Sequence, residues 1–385
     1  VMRKILTSVE ILENKSTLRF SYDDNSQKDY LINVDTQRRT IKIDNDNYSL
    51  IESSEQVRER MQNIEEYIDF EKCIFLINPN FRGDQFTMDA SFSYSIFSNG
   101  ASFDSAIFKK NVFFNSAQFT QYASFCKAKF DKTKLDKETS FNLAIFNKIV
   151  TFNDAEFSGE VEFLGTIFND EVYFGVHTAS DNKLSTDILH LPEFSEKVDF
   201  TDAIFKNVLN FSGVKSIELD LKHTIIDRME YNNTEFSSDN RETFLTLKNV
   251  ALKQNDQIKA LEFHTQEYQT YLKVLRKNKT NKNLLDRFIL TFEYCTSAFG
   301  TSAIRSIGSF VFIVILFYVS INGFNYDART IVDFASPLSY DIDKIFRRSD
   351  DVSDVGRYLF FLYKILQVAL IYEMIKSFRK FSRTL

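Results

Sequence analysis

Four histidines and three cysteines are the side chains in this 385-residue sequence best suited to metal binding or nucleophilic chemistry. His177 and His190 bracket Asp181 and Asp187, a set able to hold a divalent cation. No His-x-x-x-His or Cys-x-x-Cys spacing supports that use, so residues 175–193 are expected to be a solvated loop, and no metal or cofactor is assigned. His223 and His264 stand alone, and Cys73, Cys126 and Cys295 lie far apart; free thiols in a reducing compartment are expected. With only 10 Gly, the chain has no phosphate loop, dinucleotide fingerprint or nucleophile elbow, and no catalytic residue is expected. A second polar set lies near the C-terminus. Lys364, Gln367 and Glu373 interrupt one apolar run, and Ser309 and Ser320 another. Lining a shared lumen, such groups would conduct ions. On a helix Lys364 and Gln367 fall near one face, Glu373 lies on the opposite face, and Ser309 and Ser320 share a face. They make no continuous polar lining.

The elements that must position these residues are dominated by phenylalanine. It recurs at Phe92, Phe97, Phe103, Phe108, Phe114, Phe119, Phe125 and Phe130, in alternating steps of 5 and 6. That is the period of neither a helix nor a strand. Backwards the ladder reaches Phe70; forwards it passes Leu135 to Phe141, Phe146, Phe152, Phe157, Phe163, Phe168 and Phe174. After a gap it resumes at Phe194, Phe200, Phe205 and Phe211, then fades through Ile226, Tyr231 and Phe236. Two residues before most rungs stands a small apolar residue, such as Ala101, Ala106, Val112 or Ala117, with polar spacers between. One small and one large inward residue per unit describe a chain that turns a corner after each unit. Four corners close a coil, and an internal repeat of this kind stacks its coils along one axis.

Over residues 68–238 this pattern resembles the pentapeptide-repeat family, whose unit reads Ala-x-Leu/Phe-x-x. The resemblance implies a right-handed, four-sided β-solenoid. The six-residue steps imply a coil of 22 residues with a bulge on two faces. Family members serve as binding surfaces, and some soluble ones bind DNA topoisomerases.

Residues 1–67 are expected to be a small α/β cap on the first coil. "STLRFSYDD", "KDYLINVD" and "RRTIKIDND" read as a strand meander, and "SSEQVRERMQNIEEYI" as a helix capped by Ser53. The N-terminal stretch has no long apolar core, so no signal peptide is expected. Residues 239–280 are expected to form a helical hairpin or coiled coil, opened by an Asp239/Glu242 capping box and turned at Gln254–Asp256. Residues 281–385 are read as an amphipathic surface helix and two transmembrane helices, about 306–323 and 357–376. The surface helix carries Leu285, Phe288, Ile289, Phe292 and Phe299, and it turns at Gly300-Thr301. Lys364 is expected to extend its amine to lipid headgroups.

Basic residues flank both spans, from Lys273 to Arg305 and from Lys376 to Arg383, while the connecting loop holds seven Asp. The positive-inside rule then places both termini and the solenoid in the cytoplasm of a bacterium, under its inner membrane. Residues 68–238 hold 16 Lys+Arg against 25 Asp+Glu, and residues 239–385 hold 21 against 15, so an acidic rod precedes a basic tail. Three readings follow. The first is a non-enzymatic membrane-anchored scaffold binding a cytoplasmic protein. The second is an oligomeric pore, such as a stress or anti-phage effector. The third is an acidic mimic of nucleic acid, which the anchor disfavours. Expected partners are membrane lipid, an unidentified cytoplasmic protein and further copies of the chain; nucleic acid itself is not expected to bind.

Overall fold

The computed structural model describes residues 4–35, 38–62, 67–131, 138–175, 193–277, 284–322, 328–338 and 354–382. The chain divides into two compact units, Val1–Thr246 and Leu247–Leu385.

In the first unit, two-residue strands pair in parallel with the strands one coil on. Ile74 pairs with Ile96 and Ile96 with Gln118; Ala101 pairs with Ala123, and Ile107 with Lys129. Each of these partners is 22 residues away. The rings follow the same register. Phe75, Phe97, Phe119, Phe146, Phe168 and Phe205 form one column of near-parallel rings, with centroids 4.5–5.2 Å apart. Three similar columns begin at Phe70, Phe81 and Phe86. The spacing matches the distance between neighbouring strands, so one hydrogen-bond repeat stacks one ring on the next. Between columns the rings meet edge to face, as Phe103 and Phe114 do at 5.3 Å. The ladder phenylalanines from Phe92 to Phe168 are at most 4% exposed.

The corners explain the alternating step. Most five-residue steps pass through a tight turn closed by an i to i+3 hydrogen bond: Ala106 N donates to Phe103 O at 3.0 Å, and Ala117 N to Phe114 O at 3.1 Å. The third residue of that turn has positive φ, as at Ser105 (55°), Ser116 (58°) and Lys127 (58°). That is the second central position of a type II turn. Its amide is used as well, for Ser105 N donates to Cys126 O on the next coil at 2.7 Å. Where a hydroxyl replaces the small apolar residue it also finds a partner: Thr166 Oγ1 donates to Phe141 O at 2.7 Å, and Thr224 Oγ1 to Phe200 O at 2.8 Å. Cys73 occupies one such inward position and is fully buried.

Leu135 lies outside the described residues. Phe130 meets Phe141 directly around the coil, and Phe130 stacks on Phe157 at 4.7 Å. The paired strands across this point, such as Lys129 and Glu156, are 27 rather than 22 residues apart. Five extra residues therefore enter between Phe130 and Phe141, and their length happens to mimic one repeat unit. A larger insertion separates Phe174 from Phe194 and takes the offset to 37, as between Glu156 and Glu193. Most of it, with His177, His190, Asp181 and Asp187, lies outside the described residues. Beyond it the offset shrinks to 21 at Ile204–Ile225, 20 at Leu209–Met229 and 19 at Ser216–Glu235, where the ladder fades.

The N-terminal meander has five strands, β1 (Leu6–Ile11), β2 (Thr17–Tyr22), β3 (Gln27–Asp35), β4 (Arg38–Ile43) and β5 (Asp46–Ile51). They pair antiparallel in order, and β5 then pairs in parallel with Cys73–Phe75, covering the edge of the first coil. The apolar face of the meander packs on the outward Ile74 and Ile96. Helix α1 (Ser54–Gln62) follows, with Gln56 N donating to Ser53 Oγ and Ser53 N to Gln56 Oε1. Arg60 in α1 donates to Asp69 O at 2.9 Å. At the other end, helix α2 (Arg241–Lys253) begins under the last coil. Its N-cap is Asn240, not Asp239: Asn240 Oδ1 accepts from Glu242 N at 3.0 Å. Thr243 Oγ1 accepts from Leu221 N at 3.0 Å, which replaces the partner that a further coil would supply.

The second unit is helical. After α2 come α3 (Gln257–Lys277), α4 (Leu284–Ser297), α5 (Ala303–Asn322), α6 (Ala328–Ala335) and α7 (Asp354–Ser382). Between α2 and α3, Asn255 has φ 62°, Asp256 N donates to Ala251 O and Asn255 N to Leu252 O. This is a Schellman ending, and Asp256 then caps α3 by accepting from Lys259 N. The helices fold back so that Lys248 Nζ reaches the buried Glu267 Oε2 at 2.6 Å.

Candidate functional site

Among the described residues, two helices are long and apolar enough to cross a membrane, in the stretches Ala303–Ser320 of α5 and Arg357–Phe378 of α7. At ~1.5 Å per residue both approach the ~30 Å of a hydrocarbon core. They pack on each other through Val314, Tyr318, Phe360 and Tyr363, with Phe334 of α6 inserted among them. Their outer faces carry large exposed apolar side chains, among them Ile304, Val311, Phe312 and Ile315 on α5 and Phe361, Ile365, Val368 and Tyr372 on α7.

Ser306 of α5 and Lys364, Gln367, Glu373 and Ser377 of α7 are buried. On α7, Tyr363 Oη donates to Phe334 O at 3.0 Å, Lys364 Nζ to Ser336 O at 2.7 Å, and Gln367 Nε2 to Ala335 O. These acceptors are the last carbonyls of α6 and the residue after it, which have no partner within that helix. The Lys364 ammonium also sits at the negative end of the α6 dipole. Lys364 is buried, and its amine bonds this chain's own backbone rather than headgroups.

A second polar group lies toward the C-terminal end of α7. Ser297 Oγ, at the end of α4, donates to Glu373 Oε2 at 2.5 Å. Ser306 of α5 and Ser377 of α7 share a hydrogen bond at 3.0 Å, and Ser377 Oγ donates to Glu373 O at 2.8 Å. Lys376 Nζ lies 3.5 Å from Glu293 and 3.7 Å from Glu373. Glu373 and Lys364 point about 180° apart on an ideal helix, yet both are buried. The reason is that α7 changes neighbours along its length, from α6 near Lys364 to the α4–α5 corner near Glu373. Ser309 donates to Thr296 O of α4 at 3.3 Å, while Ser320 is exposed and bonds Leu316 O of its own helix. The shared face of these two serines is thus covered at one end only.

The corner between α4 and α5 is tightly made. Ala298, Phe299 and Gly300 have φ of 49°, 60° and 79°, three consecutive left-handed residues. For Ala and Phe this costs about 1–2 kcal/mol each. Hydrogen bonds hold the turn: Thr301 N and Ser302 N both reach Ser297 O, and Gly300 N reaches Ser297 Oγ at 2.8 Å. The buried Phe299 packs against Tyr268 and Tyr294. A Cβ on Gly300 would lie 2.9 Å from Lys376 Cγ, so glycine lets the Lys376 stem cross the turn.

Ser297, Ser306, Ser377, Glu293 and Tyr363 carry these contacts, and single-helix angles do not reveal them. The i, i+4 pair Glu373/Ser377 is the one sequence signal that marks the group. Elsewhere, His223 lies exposed, 3.3 Å from Asp202 and 3.6 Å from Glu242. Among the described residues, no three His, Cys, Asp or Glu side chains group as metal ligands.

A family model described as pentapeptide repeats (9 copies) matches residues 130–175. That segment is pentapeptide-repeat sequence. The pentapeptide repeats fall within the ring columns, and the same columns continue on both sides of the match. No curated protein and no solved structure gave a match.

Proposed function

We propose that this chain is a non-enzymatic scaffold, anchored in a membrane by α5 and α7, whose pentapeptide-repeat stack binds a protein partner. One observation carries the anchor: the exposed faces of α5 and α7 are apolar, and their buried faces hold Lys364, Gln367 and Glu373. A soluble core helix has the reverse arrangement, whereas lipid accepts an apolar exterior and leaves polar groups to be paired inside. The same inward polarity argues against a conducting lumen between copies, which would need polar groups facing out. The repeat stack is read as a right-handed, four-sided solenoid with an acidic surface, placed with both chain ends in the cytoplasm by the basic flanks of the spans. A rigid acidic surface beneath a membrane suits recruitment of a basic protein face.

The test is reconstitution. Liposomes holding the full chain should keep a potassium gradient as long as empty liposomes do, and the chain should stay with the lipid after an alkaline wash. A leak that scales with protein would replace the anchor by the pore. Release by the wash would remove both.

A further inference from the structure

We infer that α4 is an interfacial helix, seating Leu284, Leu285, Phe288 and Ile289 in the boundary between headgroups and acyl chains of a bilayer. The inference rests on the reading of α5 and α7 as spans. These four side chains are 52%, 68%, 70% and 45% exposed. They are not the face that α4 uses within its own unit, since Leu290, Thr296 and Ser297 are buried there instead. The occupant follows from where the helix is tied. Ser297 is bonded to Glu373, and Glu293 faces Lys376, both near the C-terminal end of the apolar stretch of α7. The apolar stretch of α5 begins at Ala303, six residues after Ser297. The C-terminal end of α4 is thus held where both spans end, level with the lipid boundary. Beyond the corner, Ile304 and Ile307 of α5 are exposed apolar side chains as well.

The charges agree with that depth. Arg305 is exposed beside the corner and Arg287 is half-buried on α4, both at the level of lipid phosphates; Asp286 is the exposed acid among them. A surface helix of this kind carries an apolar face on one side and cations at its margin.

The chain has no tryptophan, so a single one reports its own surroundings. Phe288→Trp and, in the middle of α5, Phe312→Trp are each placed in vesicles of phosphatidylcholine and phosphatidylglycerol. The acyl chains carry bromine either near the headgroup or near the chain end. At a depth of ~5–10 Å, the fluorescence of the Phe288→Trp variant should be quenched roughly twofold more by the shallow bromine than by the deep one. The midspan reporter should show the opposite order. Leu285→Trp repeats the measurement should the Phe288 variant misfold. A midspan reporter that is quenched while the α4 reporters are untouched by either bromine overturns the inference and leaves the spans standing. Stronger quenching of the α4 reporters by deep bromine overturns it too, since α4 would then cross the bilayer. If no reporter is quenched, the spans themselves are wrong and α4 falls with them.

Discussion

Phe119 and Phe312 are the same side chain in opposite roles. Phe119 is fully buried between the rings of Phe97 and Phe146, with polar spacers turned outward around it. Phe312 faces outward from α5, while Ser306, Lys364, Glu373 and Ser377 of its unit are buried. In the repeat stack, burial of apolar surface drives the structure and hydrogen bonds follow the backbone. In the helix pair, the buried surface is small and the specific contacts are polar, made to backbone ends that would otherwise lack partners. The first region should therefore be sensitive to ring loss, and the second to loss of single hydrogen-bonding groups.

The largest expected effect is Phe119→Ala, which removes a ring from the middle of a column and should cost about 3–5 kcal/mol. Exposed Lys110→Ala should stay within about 0.5 kcal/mol. Thermal unfolding of the two variants checks this, and equal shifts would break the contrast. Next is Lys248→Met, which takes the cation at 2.6 Å from buried Glu267. We expect about 3 kcal/mol, the low end for breaking a buried pair, because Lys248 keeps a fifth of its surface. The double variant with Glu267→Leu should recover most of it. A double variant as unstable as Lys248→Met alone would show that shape rather than charge holds the hairpin.

Glu373→Ala should cost about 1–3 kcal/mol by removing the nearer acceptor of Ser297 Oγ, which keeps only the longer bond to Glu293 O at 3.2 Å, and Glu373→Gln should cost less. Melting in detergent micelles decides it, and indifference to both changes would mean that the inward polar groups are incidental. The smallest effect is on pH. Burial, aided by Lys248 and Lys376 and opposed by Glu267, holds the His264 imidazole below its usual 6.5. The unfolded chain then binds that proton more readily, so this contribution is present above about pH 6.5 and is lost as pH falls through the folded value. His264→Gln should flatten the decline in melting temperature below pH ~6.5. A slope unchanged by that substitution would assign the pH response to other groups.

Much of the fold can be read without coordinates because a repeat states its register many times. The spacing of Phe92, Phe97 and Phe103 already contains the corner geometry, since a five-residue step admits one tight turn. The change of offset after Phe130 is harder to read, because an insertion of five residues cannot be told from a repeat unit by counting. The apolar runs of α5 and α7 are equally plain, as length and composition alone make them candidate spans. The polar contacts inside them are not plain. Helical angles place Lys364 and Glu373 on opposite faces, and nothing local says that each face meets a different neighbour.

By itself, then, the sequence determined the ring columns, the order of the elements and the two long apolar helices. Each depends on composition and spacing along a single stretch, where the relevant distances are a few residues. Only the tertiary structure decided where the polar groups go. Lys364 meets Ser336 O across 28 residues and Ser297 meets Glu373 across 76. Unpartnered carbonyls at the end of α6 and the left-handed turn at Ala298–Gly300 meet those partners only when the helices have packed.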